Sequence, residues 1–324
     1  MRQNLIGNTG VRVTEASFGC ASIGNLYRPA TDAQVDEVLQ CAWDAGIRYF
    51  DTAPHYGRGL SEMRLGRFLT RYPRDEYVIS TKVGRVLSPG SAMVEADGFV
   101  DPLPNAVRYD YSGDGIEASL EHSFGLLNTN YADIVYVHDI GEYTHGQDNS
   151  AHMEAFLGSG YERLVRLKEQ GKIRAFGLGV NENQICLDVM DHGPIDVILL
   201  AGRLTLLDRS AEQELTAKCR ALGTSLVLGG VFNSGILATG PVEGATYDYV
   251  PASPEVIEQV KNLQTRAEVL GLQLATAALH FAKRHELAAS VLLGTASARS
   301  LQRNLTALDG PTPDEFDSHF RRGF

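Results

Sequence analysis

The chain has 324 residues, 44% of them hydrophobic, and 29 Lys and Arg against 40 Asp and Glu give it a net charge of −11. That content can build a substantial core, and the acidic balance argues against nucleic acid as a partner, which needs a basic stripe for phosphate contacts. No apolar run approaches the roughly 20 residues of a membrane span and residues 1–10 are polar, so no membrane association is expected and the chain is read as cytoplasmic.

From the N-terminus, GNTGVRV at residues 7–13 sets Asn8 and Gly10 at a turn and predicts a hairpin. Short apolar, β-branched-rich runs then recur at residues 16–19, 48–50, 78–81, 134–137, 176–180, 197–200, 225–228 and 290–293. Their lack of polar alternation predicts strands buried on both faces. Helical periodicity fills intervals at 34–45, 115–127, 161–170, 211–222 and 256–270. In the second of these Ile116, Leu120, Phe124 and Leu127 share one face, with Ser112 or Gly113 placed to start the helix.

Eight strands alternating with crossover helices in a chain of this length predict an α/β fold, a closed (β/α)8 TIM barrel, as one domain over residues 1–324 with the hairpin plugging the barrel bottom. An open doubly wound sheet would want GxGxxG after its first strand, which is absent. The connections 84–110 and 139–160 are long, rich in Gly, Pro, Ser and Asn, and follow strands on the side where a barrel keeps its chemistry. They are expected to shape or cover a pocket, the alternative being a tolerated surface insertion. Cys20, Cys41, Cys186 and Cys219 lie far apart without a metal-ligand spacing and are read as free buried thiols.

The strand ends carry the chemistry. The second closes on Asp51, the third on Lys82 in VISTKVG, and the fourth on His138 in DIVYVHD, while Tyr56 follows Asp51 in YFDTAPHYG. Separately, Asp51 could cap a turn and Tyr56 could be an ordinary loop aromatic. Together, a barrel gathers all four in one mouth, and a Lys closing an apolar run needs a partner, which Asp51 provides. A close ammonium is expected to lower the Tyr56 pKa from near 10, making the phenol an acid or base, with His138 orienting the reacting oxygen. One His, one Asp and a Lys are a poor metal set, and no metal is expected.

These residues resemble the aldo-keto reductases, nicotinamide-dependent oxidoreductases on this barrel that use an Asp, Tyr, Lys, His tetrad. The family pattern of FDTA, YG and an SE…LG helix is matched by FDTAPHYGRGLSEMRLG, and the resemblance covers nearly the whole chain. It implies Tyr56, Lys82, Asp51 and His138 as catalytic. It also implies a dinucleotide laid across the later strand ends. Where the family commonly has a Ser-Asn pair, this chain has Gly179 and Val180, leaving Asn181 as the polar candidate or as an N-cap. Leu204 stands where a Tyr often stacks on nicotinamide. Phe232, Asn233, Ser234 and Gly235 resemble the pyrophosphate loop, and Gly294, Thr295, Ser297 and Asn304 the adenosine segment. The family's Arg for a 2′-phosphate is replaced by Ala296 or Ser300, with Arg299 adjacent, which points to NAD, with NADP left open.

Within the family the chain resembles aldose 1-dehydrogenases of the L-fucose or D-threo-aldose group, through GNLYRPATD, LLAGRLTLLDRS, GGVFNSGIL and GATYDYVP. The resemblance implies a small-molecule substrate, an aldose of the L-fucose, D-arabinose or L-galactose type, oxidised as the hemiacetal to the lactone. A pyridoxal 4-dehydrogenase, making 4-pyridoxolactone, is the near alternative. A non-catalytic nucleotide sensor would have no need of the Lys-activated phenol, and a metal-dependent isomerase would want more carboxylates and His at strand ends. The oligomeric state is not legible.

Overall fold

The structure, a computed structural model, describes residues 1–320. Eight parallel strands, Ala16–Gly19, Tyr49–Asp51, Val78–Val83, Ala132–His138, Ile173–Val180, Val197–Ala201, Ser225–Gly229 and Ala288–Gly294, pair in sequence order and close into a barrel, the last against the first. All eight predicted strands are present. Pairing extends past the apolar runs onto polar residues at their C-terminal ends: Asp51 lies opposite Gly19, Lys82 opposite Tyr136, and His138 opposite Gly179. The candidate functional side chains therefore stand on the paired frame.

Strand side chains alternate between the barrel interior and the helical layer. Inside, Tyr49, Val78, Ile134, Tyr136, Val197 and Val227 form a buried cluster joined by Ile6, Val11 and Val13 of the predicted hairpin, Gln3–Leu5 with Arg12–Thr14. The hairpin plugs the bottom: the Gly7 N–H donates to the Ser225 hydroxyl at the start of the seventh strand. Gly7 has φ +48°, and a Cβ there would come 2.9 Å from the Asp196 carbonyl oxygen, so a larger residue would lift the plug.

Outside, helices follow each strand, among them Asp32–Asp44, Leu60–Leu69, Gly113–Leu127, Tyr161–Glu169, Gln184–His192 and Pro254–Val269. Ile116, Leu120, Phe124 and Leu127 are buried as their spacing requires, and Ser112 caps their helix by accepting from the Gly115 N–H. The helix expected at 211–222 begins instead at Leu215, after a separate short turn, Ser210–Glu212. Asp208 explains the break, because its carboxylate takes both the backbone N–H and the hydroxyl of Ser210, offering that backbone a turn in place of a helix.

Both long connections are structured. Residues 84–110 fold into two hairpins, Arg85–Pro89 with Asn105–Tyr109 and Glu95–Ala96 with Phe99–Val100. Residues 139–160 carry the short helices Glu142–His145 and Asn149–Ala155, then a π-helical turn that runs into Tyr161–Glu169. Among the described residues no helix is long and apolar enough to cross a membrane.

Candidate active site

Asp51 and His138 end the second and fourth strands, Lys82 stands one residue before the end of the third, and the three are 0%, 6% and 2% exposed. Lys82 Nζ donates to Asp51 Oδ2 at 2.7 Å, to the Thr52 carbonyl at 2.9 Å and to Tyr56 Oη at 3.0 Å. All three ammonium protons are thereby used, which is how a lysine is held in a barrel interior. Because Lys82 donates to Tyr56 Oη, the phenol's own proton is free to point elsewhere. Tyr56 reaches this position through a loop that requires glycine: Gly57 has φ +63°, and a Cβ on it would sit 2.4 Å from the Gly24 carbonyl oxygen.

The His138 ring lies 5.9 Å from the Tyr56 ring, edge to face at 88°. Its Nε2 is 3.3 Å from Asp139 Oδ2, which also accepts from Arg85 at 2.6 Å. Behind it Tyr111 donates to the His138 carbonyl at 2.8 Å, tying this strand end to the 84–110 connection. His55 packs edge to face on the His138 ring at 5.7 Å. Among the described residues the Nδ1 atoms of His138 and His55 are both buried without a hydrogen-bond partner. Tyr56, Lys82 and His138 border a cleft of about 300 Å³ whose other walls include Leu26, Asp97, Phe99, Asn181 and Tyr249.

Protonation follows from burial. The Tyr56 pKa is pushed up to about 12 by burial, with Lys82 opposing and Asp51 adding to the rise. The expected lowering is therefore corrected: desolvation of the phenolate outweighs the ammonium, and Tyr56 rests as a phenol. Burial works against the Lys82 ammonium too, yet Asp51 and Tyr56 outweigh it and its pKa stands above the ordinary lysine value. Burial, then Arg85 and Lys82, hold His138 well below the ordinary histidine value, so its ring is neutral at physiological pH. His55 is pushed down to about 3, by burial and then by Arg85, Lys82 and Arg58.

The residues expected along the later strand ends are placed less uniformly. Asn181 is on the cleft and its carbonyl accepts from Arg203 Nε at 2.7 Å; the N-cap position of the next helix belongs to Asn183 instead. Leu204 is 1% exposed within the main core cluster, off the cleft, and cannot cover a ring bound there. Phe232 packs partly buried against the core, and the Asn233 amide is consumed by the fold, donating to the Gly202 carbonyl and accepting from the Thr205 hydroxyl. Ser234 stands exposed beside Gly235. After the eighth strand, Gly294 is exposed, Ser297 caps the helix Ala298–Asp309, and Asn304 lies half-buried on that helix. The hydroxyls of Ser234, Thr295 and Ser297 each accept one backbone N–H, from Tyr249, Ser297 and Ser300. Each keeps its proton to donate, a set that fits the phosphates and ribose of a dinucleotide.

Sequence reasoning missed several cleft residues. His55 and Asp139 adjoin Tyr56 and His138 inside the quoted motifs, so adjacency was an available signal. Leu26, Asp97 and Tyr249 come from loops and Phe99 from a two-residue strand, with no periodicity to point at the mouth. Leu26 meets Phe99 through a single isolated bridge across the sequence.

Residues 16–320 match the aldo/keto reductase family. The chain is 39% identical over 322 residues to a pyridoxal 4-dehydrogenase of Microbacterium luteolum, covering 96% of this chain and 94% of that one. It is 34% identical over 301 residues to a D-threo-aldose 1-dehydrogenase of Pseudomonas sp, covering 91% and 89%. Its fold matches that of the aldo-keto reductase AKR11C1 from Bacillus halodurans in the holo form, with a TM-score of 0.77 at 22% identity, over 99% and 96% of the two chains. This chain belongs to the aldo/keto reductase family and is an oxidoreductase of that NAD(P)-dependent class.

Proposed function

We propose that this protein oxidises the C1 hydroxyl of a cyclic hemiacetal, an aldose of the L-fucose, D-arabinose or L-galactose type, to the lactone. The observation that carries the reading is the fully bonded Lys82 ammonium donating to Tyr56 Oη, with the His138 ring edge to face on Tyr56 at the same cleft. When bound, a nicotinamide dinucleotide supplies the acceptor for the hydride that leaves C1. Tyr56, once ionised to the phenolate, takes the C1 hydroxyl proton, and the oxygen left behind becomes the lactone carbonyl. Lys82 stabilises the phenolate during that transfer, and neutral His138 holds the reacting oxygen. In the reverse direction Tyr56, at rest as a phenol, donates the same proton to a carbonyl. Asp97, Asp139 and Asn181 on the cleft are suited to a hydroxyl-rich substrate.

Pyridoxal is the second reading. It rests on the 39% identity to a pyridoxal 4-dehydrogenase, with Leu26, Phe99 and Tyr249 supplying walls for a flat ring. We assign NAD as the cofactor because Ala296 and Ser300 stand where a 2′-phosphate would want arginine. The test follows reduced-nicotinamide absorbance with NAD or NADP against L-fucose, D-arabinose, L-galactose and pyridoxal. Turnover of a sugar and not of pyridoxal supports the first reading; turnover of pyridoxal alone moves the protein to the second. No turnover in either direction, carbonyl reduction included, overturns both.

A further inference from the structure

A line of hydroxyls runs down the barrel interior from the ion pair and serves no purpose in the reaction as described above. Ser80 Oγ donates to Asp51 Oδ1 at 2.7 Å, the oxygen that Lys82 does not use. Tyr49 Oη lies 3.1 Å from Ser80 Oγ, and Tyr136 Oη lies 2.9 Å from Tyr49 Oη. Each hydroxyl has one proton, and a carboxylate only accepts, so the directions follow one another. Ser80 spends its proton on Asp51, hence Tyr49 donates to Ser80, and hence Tyr136 donates to Tyr49.

We propose that Tyr136, Tyr49 and Ser80 form a one-way donor chain that ends on Asp51 and acts as a positioning device for the Lys82–Tyr56 pair, setting the basicity of the catalytic phenol from inside the barrel. The inference rests on Tyr56 as acid and base in the proposed reaction. Successive donors pointing the same way polarise one another, and in a dry interior their positive ends add at the acceptor. Tyr49, Ser80 and Tyr136 are all 0% exposed, so no water competes for these bonds. Burial, and for both rings the charge of Asp51, hold the Tyr49 and Tyr136 hydroxyls far above ordinary phenols, so they stay protonated donors throughout the working range.

The other charged and titratable groups facing this line come from several elements. Asp133 bears on Tyr49, Lys82 on Asp51 and Asp51 in turn on Cys20, Asp139 on Tyr56, and Arg85, Lys82 and His55 on His138. Of these only Lys82 donates a hydrogen bond to Asp51, at Oδ2; Ser80 at the end of the chain is the donor to Oδ1. Losing the chain leaves Asp51 more negative at Tyr56, which makes the phenol harder to ionise.

The test has two arms. In the protein without substrate, the hydroxyl proton resonances of Tyr49 and Tyr136 are assigned by their loss in Tyr49→Phe and Tyr136→Phe, and both are expected to move upfield in Asp51→Asn. A Tyr136 resonance indifferent to Asp51 overturns the chain. In the enzyme, the rising limb of log kcat against pH for oxidation is expected to shift to higher pH by about half a unit in Tyr136→Phe and about one unit in Tyr49→Phe. KM should hold, and the double variant should match Tyr49→Phe alone, because Tyr136 acts only through Tyr49. A lowered melting temperature with an unmoved limb, or shifts that simply add, overturns the positioning role. If the parent turns over no hemiacetal the proposed function fails, and the resonance arm alone then decides the chain.

Discussion

The two halves of the barrel mouth are built on opposite plans. At the second to fourth strand ends, Asp51, Lys82 and His138 are buried, and Asp51 and Lys82 already have their hydrogen-bond partners. Along the later ends, Asn181, Ser234, Gly294, Thr295 and Ser297 are exposed or half-exposed, and the hydroxyls hold only backbone. The first half is preorganised, so ionic groups cost no rearrangement when charge develops. The second is an open rim, suited to a ligand that must enter and leave. Single substitutions should therefore act on kcat in the first half and on KM or cofactor choice in the second.

The largest effect is expected at the phenol. Tyr56→Phe should lower kcat by about 10²–10⁴ with dinucleotide affinity unchanged, measured by initial rates and by cofactor fluorescence titration. A kcat within a few-fold of the parent would remove Tyr56 from the chemistry and with it the contrast between the halves. Next is pH. With the Tyr56 pKa near 12 by burial, oxidation needs a phenolate scarce at neutral pH. The oxidation kcat should climb about tenfold per unit across roughly pH 7–9, while carbonyl reduction, which uses the resting phenol, stays flat. Equal pH dependence in both directions would place the titrating group elsewhere.

Glu62 sharpens the cost of the buried half. It sits 0% exposed behind the third strand, accepting from the Thr81 hydroxyl at 2.6 Å, one residue from Lys82. Burial pushes its pKa up to about 7, against the hydrogen bond from Thr81. A carboxyl whose folded pKa is raised favours folding below its unfolded pKa and loses that contribution as pH rises through the folded value. The loss amounts to roughly 3 kcal/mol once pH exceeds about 7. Glu62→Gln keeps the acceptor and drops the titration, so its melting temperature should gain on the parent's between about pH 5 and pH 8. A constant difference across that range would mean Glu62 is not titrating there.

The same contrast decides how much could be read beforehand. The tetrad was legible because Asp51, Lys82 and His138 interrupt apolar strand ends, where a polar residue needs a reason. The strands were legible because both faces are buried. Leu204 misled: it follows a strand at the expected spacing, but the turn set by Thr205 and Asp208 packs it into the core. The lowered Tyr56 pKa failed for a different reason, since sequence shows that a cation is near but not how dry the site is. The donor chain needed register, because Tyr49, Ser80 and Tyr136 are each unremarkable on their own strands.

The smallest effect, on the open rim, tests the cofactor assignment. Ser300 is half-exposed near the start of the Ala298–Asp309 helix, its N–H bonded to Ser297 Oγ, so its side chain can be exchanged without touching the cap. Ser300→Arg adds a planar fork able to pair with a 2′-phosphate, and Arg299 beside it is already exposed. The ratio of kcat/KM for NADP over NAD should rise by about tenfold, carried in KM with kcat held, because the buried half is untouched. A parent that already prefers NADP by that margin would overturn the NAD assignment, and a change carried in kcat would mean that the rim reaches into the chemistry after all.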